Sequence, residues 1–359
     1  MHIPDGYLSP STCATLYAFA AAGWYSALRR IKRVWATRTI PLLSVFAAFS
    51  FVIMMFNIPL PGGTSGHPVG IGVAAVVLGP WGSILAISIA LAIQALFFGD
   101  GGITTLGANC FNMAIIGSLT AWGVYQLVAA NSKLGSRRRA AAAAVAGYIS
   151  INAAALATAF EFGIQPILFR DATGAPLYAP YPLHIAIPAM MIGHLTIAGL
   201  AEAAISAGLV SYLQRTDVGL LRGGTSLIPE PLPNVIQAER WAGRLWLATV
   251  LLMLLTPLGI LAAGTAWGEW SAQELQQGQG SVQISGVSPQ QAPPSRVPAG
   301  LQKLSTVWTA PFPGYAPRFV KHPALGYLLS AMFVVGLFLL ASRLTMSIRK
   351  RWRGRELRA

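Results

Sequence analysis

The 359-residue sequence predicts an all-α polytopic membrane protein, and three observations lead there. Apolar residue types make up 54% of the chain and Asp, Glu, Lys and Arg only 10%, far under the quarter usual in soluble domains. Apolar runs recur that are long enough, or nearly so, to cross a hydrocarbon layer of about 30 Å as helices. The basic residues gather in alternate connections between those runs, the asymmetry that orients membrane proteins. The formal charge of +14 therefore reads as orientation and contact with anionic membrane lipid, with no nucleic acid as partner.

The spans follow in order. Ser11–Leu28 is uncharged until Arg29-Arg30 end it, and Pro41–Leu60 is apolar up to Pro61-Gly62-Gly63. Pro68–Leu78 is short, and the breaker Gly79-Pro80-Trp81-Gly82 behind it either kinks one longer helix or turns the chain back. Trp81–Phe98 reaches the turn Gly99-Asp100-Gly101-Gly102, from which Leu106–Val128 returns. Ala140–Phe162 starts behind Arg137-Arg138-Arg139, Leu183–Leu213 follows, and Leu245–Ala263 and Ala324–Leu344 close the chain. With Met1 outside and every span crossing, the inside receives Arg29–Ile40, Ala129–Arg139, Gln214–Arg244 and the tail from Arg343. These hold 20 of the 25 lysines and arginines. Merging Pro68–Phe98 into one span would put the first two basic connections on opposite sides, so a hairpin is expected. The protein is thus expected in the cell (cytoplasmic) membrane, amino terminus outside and carboxyl terminus cytoplasmic.

Chemistry concentrates at the amino terminus, MHIPDGYLSP, and in the loop PGGTSGHPVG that carries His67. The α-amine of Met1, the deprotonated amide nitrogen of His2 and its Nδ1 close a five- and a six-membered ring around one cation. A neutral His67 imidazole fills the fourth corner. Four nitrogens in a plane suit Ni(II), Cu(II) and low-spin Co(II), and neither Mg(II) nor Ca(II). A frayed terminus and an ordinary loop histidine are the plain alternative, but the charge-derived topology puts both on the external side. No basic n-region precedes the first span, so no signal peptide is expected. The bulk of His2 disfavours methionine removal, which leaves Met1 with a free amine.

Together with FFGDGGITTLGANCFNM at residues 97–113, these two motifs closely resemble the substrate-binding M component of energy-coupling-factor (ECF) cobalt/nickel transporters, the CbiM/NikM family. The resemblance runs over roughly residues 1–215. It implies a seven-helix bundle of the ECF S-component type with the terminus tucked in from outside. It also implies metal ligation by Met1, His2 and His67, with Co(II) or Ni(II) as transported substrate. The implied partners are a transmembrane coupling T component and one or two ABC-type ATPases. Residues 216–242 read as a cytoplasmic linker. Residues 243–359, with TPLGILAAGTAWGEW at 256–270, resemble a fused N-type auxiliary unit of two helices joined by an external loop, 264–323. That unit lacks the PDGLE signature of its relatives and offers His322 alone as an obvious ligand. It is expected to help load or order the terminus without being a metal site itself.

Ser65, Asp100, Asn109 and Asn112 are expected behind the ligands, orienting an imidazole or the loop, although closing the turn and capping the next helix explains them as well. His194 and Glu202, eight apart, share one broad side of a helix; hydrogen bonding or a partner helix is the favoured reading over a second metal or proton site. Glu161 is expected near water at an outer helix end. Gln94 and Asn152 read as interhelical hydrogen-bonding groups, His184 and His322 as external helix starts, and Cys13 and Cys110 as packing. QQGQG and SPQQAPPS mark flexible linker.

The chain has no G-x-x-x-x-G-K-[ST], so ATP is not bound here, and no H-E-x-x-H or Ser/His/Asp setting argues for an enzyme. A transport subunit powered by other polypeptides is the leading expectation. A self-sufficient proton-coupled divalent metal transporter using Glu161, His194 and Glu202 is the second. An intramembrane metalloenzyme is a distant third, since four planar nitrogens leave little room for an activated water.

Overall fold

The computed structural model describes residues 1–32, 39–60, 64–225, 235–262, 265–278, 297–317 and 319–356. Residues 226–234, the middle of the expected cytoplasmic linker, and residues 279–296, where SPQQAPPS falls, lie outside the described residues. The fold is that of an all-α multi-pass membrane protein. Six described helical segments are long and apolar enough to cross a bilayer, and Ile40–Met54 is a shorter apolar one.

Helix α1 (Pro10–Lys32) leads into α2 (Thr39–Met54). The 23 residues of α1 span about 34 Å, enough for a crossing. The expected second span ends early. Pro59 and Pro61 cannot continue a helix, and residues 58–60 instead form strand β1 (Ile58–Leu60), paired antiparallel with β2 (Thr64–Gly66). This short hairpin carries His67 at its exit.

Helix α3 (Ile71–Ile93) is broken at Gly79, whose φ of 69° and ψ of 174° are non-helical. Glycine takes that left-handed φ freely, and Pro80 behind it cannot donate the next helical hydrogen bond. By length and composition Ile71–Phe98 is a single span of 28 residues, which would set its ends roughly 42 Å apart if straight. They are not apart. Asp100 lies 3.0 Å from His2, whose ring centroid is 5.0 Å from that of His67. The chain therefore goes in and comes back. Arg30 stacks 4.1 Å from the Trp81 ring, placing the turn at the basic end of α1. The hairpin expected from charge asymmetry is present.

The next crossing, Leu106–Ala129, is built from α4 (Leu106–Asn109), a π-helical stretch Cys110–Ile116 and α5 (Gly117–Ala129). Helix α6 (Arg137–Leu168) overruns the expected span at both ends. Helices α7 (Leu183–Gly193) and α8 (Gly199–Thr216) form one crossing through a π-helical turn, His194–Ala198. Helix α6 packs between α5 and α8 through Ala142, Ala143, Ala146, Gly147, Ala154 and Ala155, all buried. In hydrocarbon no hydrophobic gain draws helices together, so small side chains that let backbones approach supply the packing. Large apolar residues face outward instead, among them Phe19, Leu127, Phe160 and Leu200.

The C-terminal unit comprises α9 (Val235–Leu255) with a 3₁₀ turn Thr256–Leu261, then α10 (Ala272–Gln276), α11 (Ala299–Leu304), and the long α12 (Pro323–Glu356). Helices α9 and α12 pack on α2. A Cβ at Gly259 would sit 1.9 Å from the Met55 carbonyl oxygen, so only glycine permits this approach. The described parts of the loop at 264–323 are docked on the helical bundle. Gly300 N donates to the Leu177 carbonyl (2.8 Å), Phe312 N to that of Phe97 (2.9 Å) and Trp308 Nε1 to that of Leu96 (3.1 Å).

Candidate metal centre

The first nine residues are threaded into the end of the bundle where His67 and Asp100 meet. Met1 is 3% exposed, His2 1% and Ile3 fully buried. Burying irregular backbone requires partners for its polar groups, and the 97–113 motif supplies them. Asn109 Oδ1 accepts from Ile3 N (2.8 Å) while its Nδ2 donates to Ile3 O (3.1 Å), a two-point clamp. Gly102 N (2.9 Å) and the Thr105 hydroxyl donate to the same carbonyl. The Asp5 carboxylate in return accepts from Ile103 N (3.2 Å) and Thr104 N (2.7 Å), amides of the turn that precedes α4. Ser9 N reaches Gln165 Oε1 (3.0 Å), and the Tyr7 hydroxyl donates to the Trp270 carbonyl (2.7 Å).

The His67 loop is pinned from the opposite side. Glu202, fully buried on α8, accepts from Val69 N and Gly70 N (2.8 Å each) and from Gly72 N (3.1 Å). It thereby satisfies the free amides at the start of α3, a position where a carboxylate also complements the helix dipole. Ser50 Oγ donates to the Val69 carbonyl (2.8 Å).

Two imidazoles and the amine come together between these clamps. The His2 and His67 rings are 5.0 Å apart, centroid to centroid, tilted by 31°. His67 Nδ1 lies 3.2 Å from the Pro68 carbonyl, so with that hydrogen donated its Nε2 keeps a lone pair; this atom is buried without a partner. Both ring nitrogens of His2 lack a hydrogen bond, although Nδ1 stands 3.0 Å from Asp100 Oδ1. Buried polar atoms left unpaired in a native fold call for an explanation such as an ion.

Charge sorts the two histidines. Burial alone would lower the His2 imidazole, but the Asp100 carboxylate and then Glu269 outweigh it and hold the group above its ordinary pKa. For His67 the balance is opposite: burial, then the neighbouring His2 and the amine, outweigh Asp100 and push it well below. Burial would raise the Asp100 carboxyl, yet the His2 charge and contact keep it well under the usual carboxylate range. The Tyr315 hydroxyl donates to Asp100 Oδ2, and Gln94 Nε2 donates to Tyr315 (3.1 Å).

The C-terminal unit supplies what sequence reasoning missed. Glu269 Oε1 is 2.8 Å from the Met1 amine and 2.8 Å from His2 N. A His2 nitrogen and one oxygen each of Asp100 and Glu269 lie within 4.8 Å of one another. The C-terminal segment thus touches the site through Glu269 and Tyr315, whereas His322, the one obvious ligand expected from it, is exposed at the start of α12. A signal was available, since Glu269 is a lone carboxylate between Trp267 and Trp270. Those tryptophans pack with Tyr181 and, through Trp267, with Phe162, roofing the terminus.

Of the other expected residues, Ser65 is buried and, with Met1, Met190, His194 and Trp267, lines a small cavity. Asn112 is elsewhere: it donates to Thr158 Oγ1 (3.1 Å) and Glu161 Oε2 (2.8 Å), joining two helices. Glu161 is consequently buried, not at a wet helix end, because α6 continues beyond it to Leu168. Gln94 serves the site through Tyr315, while Asn152 bonds Tyr148 O in its own helix (2.7 Å). His184 is exposed at the start of α7. His194 Nδ1 donates to Met190 O (2.8 Å) and faces the cavity beside Met1, whereas Glu202 is committed to the His67 loop.

Residues 2–220 match the family model of the CbiM cobalt uptake substrate-specific transmembrane region. The chain is 50% identical to the fused nickel transport protein NikMN of Rhodobacter capsulatus, over 97% of its own length and 98% of that protein's. It is 41% identical to the probable fused nickel transport protein LarMN of Lactiplantibacillus plantarum, over 96% and 97% of the two chains. A crystal structure of a truncated transition metal transporter aligns with a TM-score of 0.57 at 47% identity, covering 60% of this chain and 99% of that one.

Proposed function

Because the chain belongs to the CbiM family of cobalt-uptake substrate-specific transmembrane regions, we propose that it is the substrate-specific subunit of an ATP-driven cobalt/nickel importer. The cation is captured at the external face by the Met1 amine, the deprotonated His2 amide, His2 Nδ1 and His67 Nε2. The observation that carries this reading is the burial of the amine beside two imidazoles of which His67 Nε2 and both His2 nitrogens are left without a hydrogen bond. Four nitrogens favour Ni(II) and low-spin Co(II) over hard cations. Relatives named for nickel and for cobalt transport support both as substrates. Asp100 and Asn109 orient the set, and Ser65 borders it.

ATP hydrolysis is assigned to a coupling T component and one or two ABC-type ATPases, since this chain has no phosphate-binding loop. The proton-coupled alternative is weakened by the commitment of Glu202 to three backbone amides and of Glu161 to Asn112. Labelled Ni(II) and Co(II) uptake by cells lacking other importers tests the choice. Uptake is expected only when the coupling protein and ATPases are co-expressed, and accumulation by this chain alone establishes the alternative.

Acid should release the metal. Every ligand nitrogen must shed or lack a proton, and Asp100 favours the charged His2. Affinity should therefore fall as pH drops from neutrality through the ~6.5 reference value of histidine. Calorimetric titrations that stay flat down to about pH 5 would contradict nitrogen ligation.

Glu202→Ala should weaken binding although Glu202 touches no ligand atom. It strips three buried amides of their acceptor, a loss on the order of 3 kcal/mol in stability, and frees the His67 loop. Thermal unfolding in detergent and Ni(II) titration read the two effects; native affinity with a lowered Tm would confine Glu202 to the fold.

A further inference from the structure

We propose, on the four-nitrogen reading above, that Asp100 is a fifth ligand, an axial oxygen over the plane of the nitrogens that admits Co(II) beside Ni(II). Distance and direction disagree in its contact with His2. Asp100 Oδ1 stands 3.0 Å from His2 Nδ1, yet that nitrogen has no hydrogen bond, because the oxygen lies off the line along which the ring nitrogen bonds. The lone-pair direction of Nδ1 is therefore open to a cation, with an anionic oxygen standing beside it. A cation about 2.05 Å from Nδ1 and about 2.1 Å from Oδ1 meets the two atoms at roughly 90°. That is the angle between an in-plane donor and an axial one.

Glu269, the other carboxylate at the terminus, is placed differently. Its Oε1 accepts hydrogen bonds from the His2 amide and from the Met1 amine, 2.8 Å each. It sits on the N–H line of the amide, which is the cation's own position, so it withdraws when the site fills. Asp100 stays where it is. Its far oxygen, Oδ2, is tied by the Tyr315 hydroxyl, and Gln94 Nε2 reaches both Tyr315 (3.1 Å) and Oδ2 (3.4 Å). Tyr315 stacks on Phe98, ring centroids 4.8 Å apart at 20°, with φ at 61°. A bulky residue keeps such a backbone angle only where its surroundings impose it. The turn that carries Asp100 also presses on His2. A Cβ on Gly101 would lie 2.9 Å from Asn109 Nδ2 and 3.6 Å from His2 Cβ, and Gly101 has φ of 75°.

Charge points the same way. A divalent cation held by one deprotonated amide and three neutral nitrogens keeps one positive charge, and a charge inside a protein needs a partner. Asp100 supplies it at the cation itself. The two metals respond unequally. Planar Ni(II) has a filled orbital perpendicular to the plane and gains little from an axial donor, whereas low-spin Co(II) has that orbital half filled and binds an axial oxygen.

The test loads the full-length protein in detergent, free of oxygen, with Co(II) alone and with Ni(II) alone. Electron paramagnetic resonance reads the axial position, because the unpaired electron of low-spin Co(II) occupies that orbital. The native protein should give a five-coordinate signal, and D100A the wider g spread of a four-coordinate plane. By calorimetry D100A should lose roughly 10- to 100-fold in Co(II) affinity and much less in Ni(II) affinity. Y315F keeps the ring on Phe98 and removes only the hold on Oδ2. It should shift both readouts in the same direction by less, add nothing in the D100A background, and serve as the comparison if D100A does not fold. Equal losses of Co(II) and Ni(II) overturn the inference, as does a Co(II) signal that D100A leaves unchanged. A native Co(II) signal that is high-spin overturns the four-nitrogen reading itself.

Discussion

A chain extended by four residues ahead of Met1 is expected to lose Ni(II) and Co(II) binding by on the order of a thousandfold, equivalent to about 4 kcal/mol. The extension converts the terminal amine into a peptide nitrogen that must itself lose a proton to ligate. It also has to leave a pocket in which Met1 is only 3% exposed and its amine is paired with Glu269 at 2.8 Å. The fold should survive, because the clamps on Ile3, Asp5, Tyr7 and Ser9 involve none of the first amine. Calorimetry on the purified, folded variant decides the matter, and unchanged affinity removes the terminal amine from the ligand set.

His67→Ala should leave a folded protein that binds metal about a hundredfold more weakly, near 3 kcal/mol, because one of four donors is lost and the cation gains an open corner. The backbone of the loop keeps its hold on Glu202 and Ser50 in this variant, and the side chain removed had one buried nitrogen without a partner. Stability should accordingly change little while the planar absorption shifts. A single alanine inserted between Met1 and His2 sharpens the reading. A Met-Ala-His terminus offers an amine, two amides and an imidazole, four nitrogens by itself, so its binding should no longer respond to His67→Ala. Wild-type uptake by the His67→Ala protein would transfer the fourth corner to another group.

The reach of the sequence is clearest where the physics is local. His2 and Met1 are covalently adjacent, so their chelate rings can be drawn without a fold. Apolar run length and the position of Arg29, Arg137 and Arg343 specify crossings one at a time. Even the reversal at Gly79 was legible, because a single merged span would have put the basic connection at Lys133 on the opposite side from Arg29–Arg38. Asp100 and Asn109 stood in a motif beside a turn, and the structure brings both to the terminus. Where local rules compete, sequence reading falters: Pro41–Leu60 looked uniformly apolar, but Pro59 turned its end into a strand. Asn112, three residues from Asn109, would share its face on a regular α-helix, but it lies in the π-helical stretch Cys110–Ile116 and joins Glu161 instead.

By itself, then, the sequence determined a multi-pass helical protein and the residues able to ligate a cation, because hydropathy, charge and chelate size act over a few residues. Tertiary structure alone decided which groups surround that terminus. Glu269 meets Met1 across 268 positions, Tyr315 meets Asp100 across 215, and Glu202 holds Val69 across 133. No periodicity or spacing encodes such pairs. They arise because burying an ammonium, a peptide edge and a glycine-rich loop leaves donors that must be satisfied, and the acceptors are whichever carboxylates the packed helices and the docked loop bring within reach.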